Sequence, residues 1–148
     1  MRAVLQRVRN ATVSVEGKEI ARIGPGLLIL LGIARGDQPK DALRLCQKCV
    51  HLRVFSDAHG KMNHSLIEQG AEVLVVSQFT LLADCSGGRR PSFINAAPAE
   101  KGKQLYHFFL DQLRLAGLVP QAGEFQTTMV VSLENDGPVT ILLDSKDF

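Results

Sequence analysis

Two apolar runs constrain the fold more than any other feature. Leu27–Ile33 contains no polar residue, and Val73-Leu74-Val75-Val76 forms the centre of a second run, Ala71–Ser77. A strand with one wet face alternates apolar and polar residues; a strand without alternation is covered on both faces. The chain is therefore expected to place material on both sides of a sheet. Its 148 residues are enough for one domain, 1–148, that buries about two-thirds of its unfolded surface. A hydrophobic fraction of 45% and a charged fraction of 22% are those of a globular protein.

Other segments supply the remaining elements. Ala3–Arg9, Ala11–Val15 and Glu19–Ile23 read as three strands, with Gly17-Lys18 as a turn and Gly24-Pro25-Gly26 as a break. Asp37 is the expected N-cap of a helix running to about Leu52, with Ala42, Leu43, Cys46, Cys49, Val50 and Leu52 as its apolar positions. Pro98 suits the first turn of a second helix that reaches about Leu115 and stops at Gly117. Met129–Leu133 and Val139–Leu143 read as two last strands joined by a tight connection. The expected fold class is α/β: one compact domain of β-rich mixed sheets with two main helices.

Composition excludes several functions. The longest apolar run, Leu27–Leu31, is too short to span a bilayer, so no membrane partner is expected. The N-terminus enters a mixed Met-Arg-Ala-Val-Leu-Gln-Arg pattern without a signal-peptide profile. Three cysteines form no disulfide framework, which points to a reducing, cytoplasmic setting. Cys46 and Cys49 lie on the apolar helix face with no second Cys/His pair following, and read as core thiols; no metal and no cofactor is expected. Lys40, Arg44 and Lys48 form a stripe on the opposite face, either solvated or touching a phosphate backbone. A net charge of +2 argues against coating long nucleic acid, but not against gripping one end.

Familiar catalytic patterns are missing. There is no H-E-x-x-H, P-loop or G-x-S-x-G, and His51, His59, His64 and His107 form no constellation. A triad hydrolase has no candidate base. Two segments remain. Ser77-Gln78-Phe79-Thr80 follows the Ala71–Ser77 strand, where freed backbone N–H groups can stabilise an oxyanion; it reads equally as a polar strand end. Asn135-Asp136-Gly137-Pro138 reads as an ordinary turn, or as a Gly-Pro pair presenting two bare carbonyls to an amino group.

Together the two segments say more. Ser-Gln-Phe-Thr-Leu at 77–81 with Asn-x-Gly-Pro-Val-Thr at 135–140 resembles the paired signature of the bacterial-type D-aminoacyl-tRNA deacylase family. Leu5-Gln6-Arg7-Val8, the segment from Phe55 to Asn63, and Arg90-Pro91-Ser92-Phe93 extend the resemblance over essentially the whole chain. The resemblance implies hydrolysis of the ester between a D-amino acid, or glycine, and the 3′ end of tRNA. It implies a homodimer with its active sites at the subunit interface. A cis Gly137-Pro138 would enter the partner's pocket, hold the substrate's α-amino group and exclude an L side chain. Arg7 would steady that dipeptide. Ser77, Gln78, Phe79 and Thr80 would form the catalytic wall around the ester, and Phe125 and Met129 would bind the terminal adenosine. The substrate's 2′-hydroxyl would assist attack by water, leaving Thr80 as a positioning group. Two alternatives stay open: an esterase with Thr80 or Ser77 as nucleophile, and a non-catalytic tRNA-end binding module using Arg89, Arg90 and the lysine–arginine stripe.

Overall fold

In the computed structural model, which describes residues 1–148, the N-terminal strand runs unbroken from Arg2 to Val15 (β1). The expected division into two strands is thus corrected. Ala3 and Leu5 face one core cluster, whereas Val8, Ala11 and Val13 face another. Between Val8 and Asn10 the strand inserts an extra residue, Arg9, against its neighbour. This bulge offsets the pleat by one and bends the strand without ending it. In sequence the same offset looks like a strand boundary.

β2 (Lys18–Ile23) returns along the second half of β1, and β3 (Gly26–Gly32) runs antiparallel to the first half. Helix α1 (Pro39–His51) follows. Its N-cap is Gln38, not Asp37: Pro39 opens the first turn and the Asp41 carboxylate accepts from the Gln38 N–H at 2.8 Å. Asp37 is buried, accepting from the Met1 ammonium at 2.8 Å and the Ala34 N–H at 2.6 Å. Leu45 fills the apolar face of α1, and Leu43, expected there, is 38% exposed. A small hairpin, β4 (Phe55–Ser56) with β5 (Met62–His64), leads to the short helix α2 (Leu66–Gln69).

β6 (Glu72–Ser77) lies parallel to β3, with Leu27 opposite Val73 and Leu31 opposite Ser77. Gly26 starts this pairing, and a Cβ there would overlap the Glu72 carbonyl, so the close approach requires glycine. Helix α3 (Ala99–Leu115) is capped by Pro98, one residue earlier in role than expected, and β7 (Gln121–Ala122) adds to the edge of β6.

The two apolar runs behave as their lack of alternation requires. Leu27, Ile29, Leu31, Val73 and Val75 pack against Leu45, Cys46, Cys49, Tyr106, Phe109 and Leu113 of α1 and α3. Leu28, Leu74 and Val76 pack on the other face against Val8, Ala11, Val13, Ala21 and Ile23, where β1 and β2 bend over the sheet. The result is a mixed α/β domain with a mostly sheet core and three helices. None of them is long and apolar enough to cross a membrane.

The C-terminal region brings the largest correction. Val130–Asp144 is one strand, β8, antiparallel to β1 along nearly its whole length. The two halves therefore are not the arms of a hairpin; both lie on the same neighbour and run the same way. Between them Thr140 pairs with Gln6 and Asn135 with Val8, so residues 136–139 stand opposite Arg7 alone. Gly137-Pro138 is the crest of this bulge rather than a turn.

Candidate active site

β6 ends at Ser77, and the Gln78 N–H makes a last link to the Leu31 carbonyl at 2.8 Å. The chain then tightens into a single 3-10 turn, Phe79–Leu82. Phe79 and Thr80, the first residues of that turn, have no carbonyl within it to receive their N–H groups. Gln78 supplies no side-chain cap. Its amide Nε2 instead donates to Thr80 Oγ1 at 2.5 Å. The Phe79 ring is 55% exposed and meets Phe93 edge-on, with centroids 5.0 Å apart.

Beside this turn is a cavity of about 810 Å³, within the range of small-molecule sites. Ser77, Gln78, Phe79, Phe125 and Met129 line it; Thr80 is not among the lining residues. Phe125 rests over Gly102, where a Cβ would lie 3.2 Å from its ring, and tilts against Tyr106. The Tyr106 hydroxyl donates to the Val75 carbonyl at 2.8 Å, and burial pushes its pKa up. Met129 closes on Gly123, where a Cβ would lie 2.7 Å from its Sδ. Arg35 is the sole ionisable residue in the lining. No carboxylate, histidine or thiol reaches the cavity to act as a base.

Arg35 and Phe93 line the cavity and were left out by sequence reasoning. Phe93 was within reach, because it ends the Arg-Pro-Ser-Phe segment of the family resemblance. Arg35 carried no signal: a lone arginine in a Gly-containing loop looks like ordinary surface.

Gly137-Pro138 lies elsewhere. Its peptide bond is cis, and Gly137 has φ +139°. A Cβ on Gly137 would be 2.7 Å from Val139 Cγ2 and 2.9 Å from the Val139 nitrogen. Asn135 braces the bulge from within: its Oδ1 accepts from the Val139 N–H at 2.7 Å and its Nδ2 donates to the Val139 carbonyl at 3.0 Å. Arg7 braces it from beneath. Its Nε donates to the Asp136 carbonyl at 3.0 Å, and its Nη1 donates to the Val54 carbonyl at 2.6 Å. Positions 136–139 pair with no residue of β1, so both carbonyls of the dipeptide lie outside the ladder.

Within one chain these two regions do not meet. Arg7 is level with Leu27 and Val73, whereas Ser77 is level with Leu31. The dipeptide is thus four residues along and three strands across from Ser77, on the order of 20 Å at usual strand spacings. It shares no lining residue with the cavity.

The family model for D-Tyr-tRNA(Tyr) deacylase matches residues 4–144. The chain belongs to the D-Tyr-tRNA(Tyr) deacylase family. A D-aminoacyl-tRNA deacylase of Syntrophotalea carbinolica is 56% identical over 145 residues, covering 98% of this chain and 97% of that protein. A D-aminoacyl-tRNA deacylase of Thermosipho africanus is 51% identical over 146 residues, covering 99% and 98%. A solved structure described as c-Myc DNA Unwinding Element Binding Protein superposes with a TM-score of 0.90 at 42% identity, over 97% of this chain and 98% of that one. Another, described as a probable eukaryotic D-amino acid tRNA deacylase, shares the fold with a TM-score of 0.80 at 20% identity. The deacylase family assignment makes this chain an enzyme, a hydrolase.

The remaining sequence features of this deacylase-family chain fall outside the cavity. Cys46 and Cys49 are buried in the helix-side core; burial pushes Cys46 up to about 12, and burial with the neighbouring Cys46 pushes Cys49 up further. His51 and His107 are exposed on α1 and α3. Arg44 and Lys48 stand over the Phe148 ring at 5.9 and 5.4 Å.

Proposed function

We propose that the protein hydrolyses the ester of D-aminoacyl-tRNA, and of glycyl-tRNA, in a site completed by a second copy of the chain. The observation that carries the reading is the pairing of two half-sites. One is a cavity with no base in its lining, beside a 3-10 turn whose first N–H groups are free. The other is a braced dipeptide with free carbonyls at the far end of the same sheet. In the homodimer, Gly137-Pro138 of one protomer enters the cavity of its partner. The two carbonyls accept hydrogen bonds from the substrate's α-ammonium. Once that group is fixed, an L side chain points into the carbonyls and collides, whereas a D side chain or hydrogen points away. Main-chain atoms do not depend on side-chain identity, so many D-amino acids fit.

Chemistry follows from the cavity and the 3-10 turn beside it. Water attacks the ester carbonyl, the substrate's 2′-hydroxyl assists, and the N–H groups of Phe79 and Thr80 stabilise the developing oxyanion. Ser77 and Gln78 shape the wall, and Phe125 and Met129 hold the adenosine. Thr80 positions rather than attacks. Its hydroxyl oxygen already accepts from the Gln78 amide, which cannot remove its proton. Asn135 belongs with Arg7 as a residue that holds the dipeptide in place. The cytoplasm, where aminoacyl-tRNA is used, is the matching location.

Subunit mixing tests the shared site. Ala96→Trp fills the cavity, and Gly137→Val disables the dipeptide. Each variant alone is expected to be inactive. Refolded together in equal amounts, they form hybrid dimers in which one of the two sites is intact, restoring about a quarter of wild-type activity. A mixture as inactive as its components rules out the shared site.

A further inference from the structure

The cavity's one charge has no use in ester hydrolysis as described. Arg35 forms no ion pair, unlike Arg2, Arg7, Arg9, Arg22 and Arg114, and shares this with Arg44, Arg53, Arg89 and Arg90, none of which lines the cavity. Arg35 also borders a second pocket with two carboxylates, and both are engaged elsewhere: Asp144 takes Arg2, and Asp84 takes the Ser86 hydroxyl and N–H. Arg35 is tied in at its backbone and touched once at its side chain. Its N–H donates to the Asn95 carbonyl at 2.9 Å, its carbonyl accepts from Lys101 Nζ at 2.8 Å, and its Nε donates to the Ile94 carbonyl at 3.2 Å. Contact through Nε leaves both terminal guanidinium nitrogens free, and Lys101, outside the cavity lining, places a second positive charge next to the Arg35 backbone. An exposed guanidinium whose fork is unoccupied is suited to a phosphate.

Resting on the deacylase reading, we propose that Arg35 is a binding residue for the 5′-phosphate of the terminal nucleotide whose base sits at Phe125 and Met129. The phosphate is remote from the ester, so its binding energy is the same in the ground and transition states. Arg35 therefore acts on KM rather than kcat. It makes the enzyme prefer a nucleotide to a nucleoside, and draws the polyanionic 3′ end toward a cavity that is otherwise uncharged.

The test compares 3′-O-(D-tyrosyl)adenosine with the same compound carrying a 5′-phosphate. Wild type is expected to prefer the phosphorylated substrate by about 10- to 100-fold in kcat/KM, the size of a charge-assisted bidentate contact. In Arg35→Gln the ratio falls to near one, and Arg35→Lys retains part of it. A ratio that stays high in Arg35→Gln, or is near one in wild type, overturns the proposal. Damage to the cavity alone lowers both rates and leaves the ratio unchanged, which also overturns it. Calorimetric binding of adenosine 5′-monophosphate and adenosine is measured in parallel. If wild type cleaves neither ester, the deacylase reading fails. The binding arm still decides Arg35, since loss of the nucleotide's advantage in Arg35→Gln supports the phosphate site and its persistence refutes it.

Discussion

Replacing Arg7 by alanine tests how the dipeptide is held. The Arg7 side chain is 11% exposed and joins two carbonyls from distant parts of the chain, Val54 at 2.6 Å and Asp136 at 3.0 Å. It also pairs with the Asp136 carboxylate at 3.3 Å. Arg7→Ala removes all three and leaves the Val54 carbonyl without its charged donor. A hydrogen bond to a charged group contributes about 1.5–3 kcal/mol. The contacts share one guanidinium and do not add fully, so the expected loss is about 3–5 kcal/mol. For a domain of this size that corresponds to a fall in Tm of roughly 6–20 °C. Arg7→Lys should recover no more than half, because one ammonium cannot span both carbonyls. Release of the Asp136 carbonyl also frees Gly137-Pro138 to shift. A displacement of about 1 Å lowers turnover on the order of a hundredfold. Thermal melting of the three proteins, together with D-tyrosyl-tRNA deacylation well below their midpoints, measures both effects. An Arg7→Ala protein that melts with wild type would refute the bracing role.

Other perturbations have equally definite outcomes. Asp37→Ala leaves the buried Met1 ammonium without its counter-charge, 2.8 Å away with side-chain exposures of 0% and 4%, and with only the Ser145 hydroxyl at 2.6 Å; urea unfolding should show a loss of about 3–5 kcal/mol. Gly26→Ala drives a methyl group into the Glu72 backbone at the β3–β6 contact; a loss of about 3 kcal/mol or more is expected, and wild-type melting would contradict the close approach. A thiol reagent should label Cys85 alone in the native protein, and all three cysteines after denaturation. The Cys46 thiol is pushed from 9.0 to about 12 by burial, so the folded state holds this proton more tightly. Its stabilising effect is complete below pH 9.0 and is lost as pH rises toward 12. Urea midpoints near about pH 8 and about pH 10.5 should show the decline.

Much of the fold could be read from pattern. Leu27–Ile33 and Ala71–Ser77 announced strands covered on both faces because covered strands have no reason to alternate. The two main helices followed from 3.6-residue spacing. What failed were places where the backbone departs from its period without ending. The Arg9 bulge imitates a strand boundary, and the bulge at 136–139 imitates a hairpin turn. Asn, Asp, Gly and Pro suit both uses, and only pairing with β1 distinguishes them. Asp37 was misread because a buried carboxylate holding a distant amine has the same local signature as an N-cap. At the cavity, the position of Ser77, Gln78 and Phe79 was legible from the end of a buried strand, while Thr80 falls outside the lining. Arg35 was not, since its place in the lining depends on contacts with Ile94, Asn95 and Lys101 made through the fold.

The most direct measurement is release of free tyrosine from D-tyrosyl-tRNA and L-tyrosyl-tRNA by the purified protein, side by side and with a chelator present. Rapid release from the D substrate, with L-tyrosyl-tRNA no faster than its spontaneous hydrolysis, is expected if the Gly137 and Pro138 carbonyls select the substrate. Comparable release from both would contradict chiral selection and leave a general esterase; release from neither would leave a module that binds the tRNA end without cleaving it.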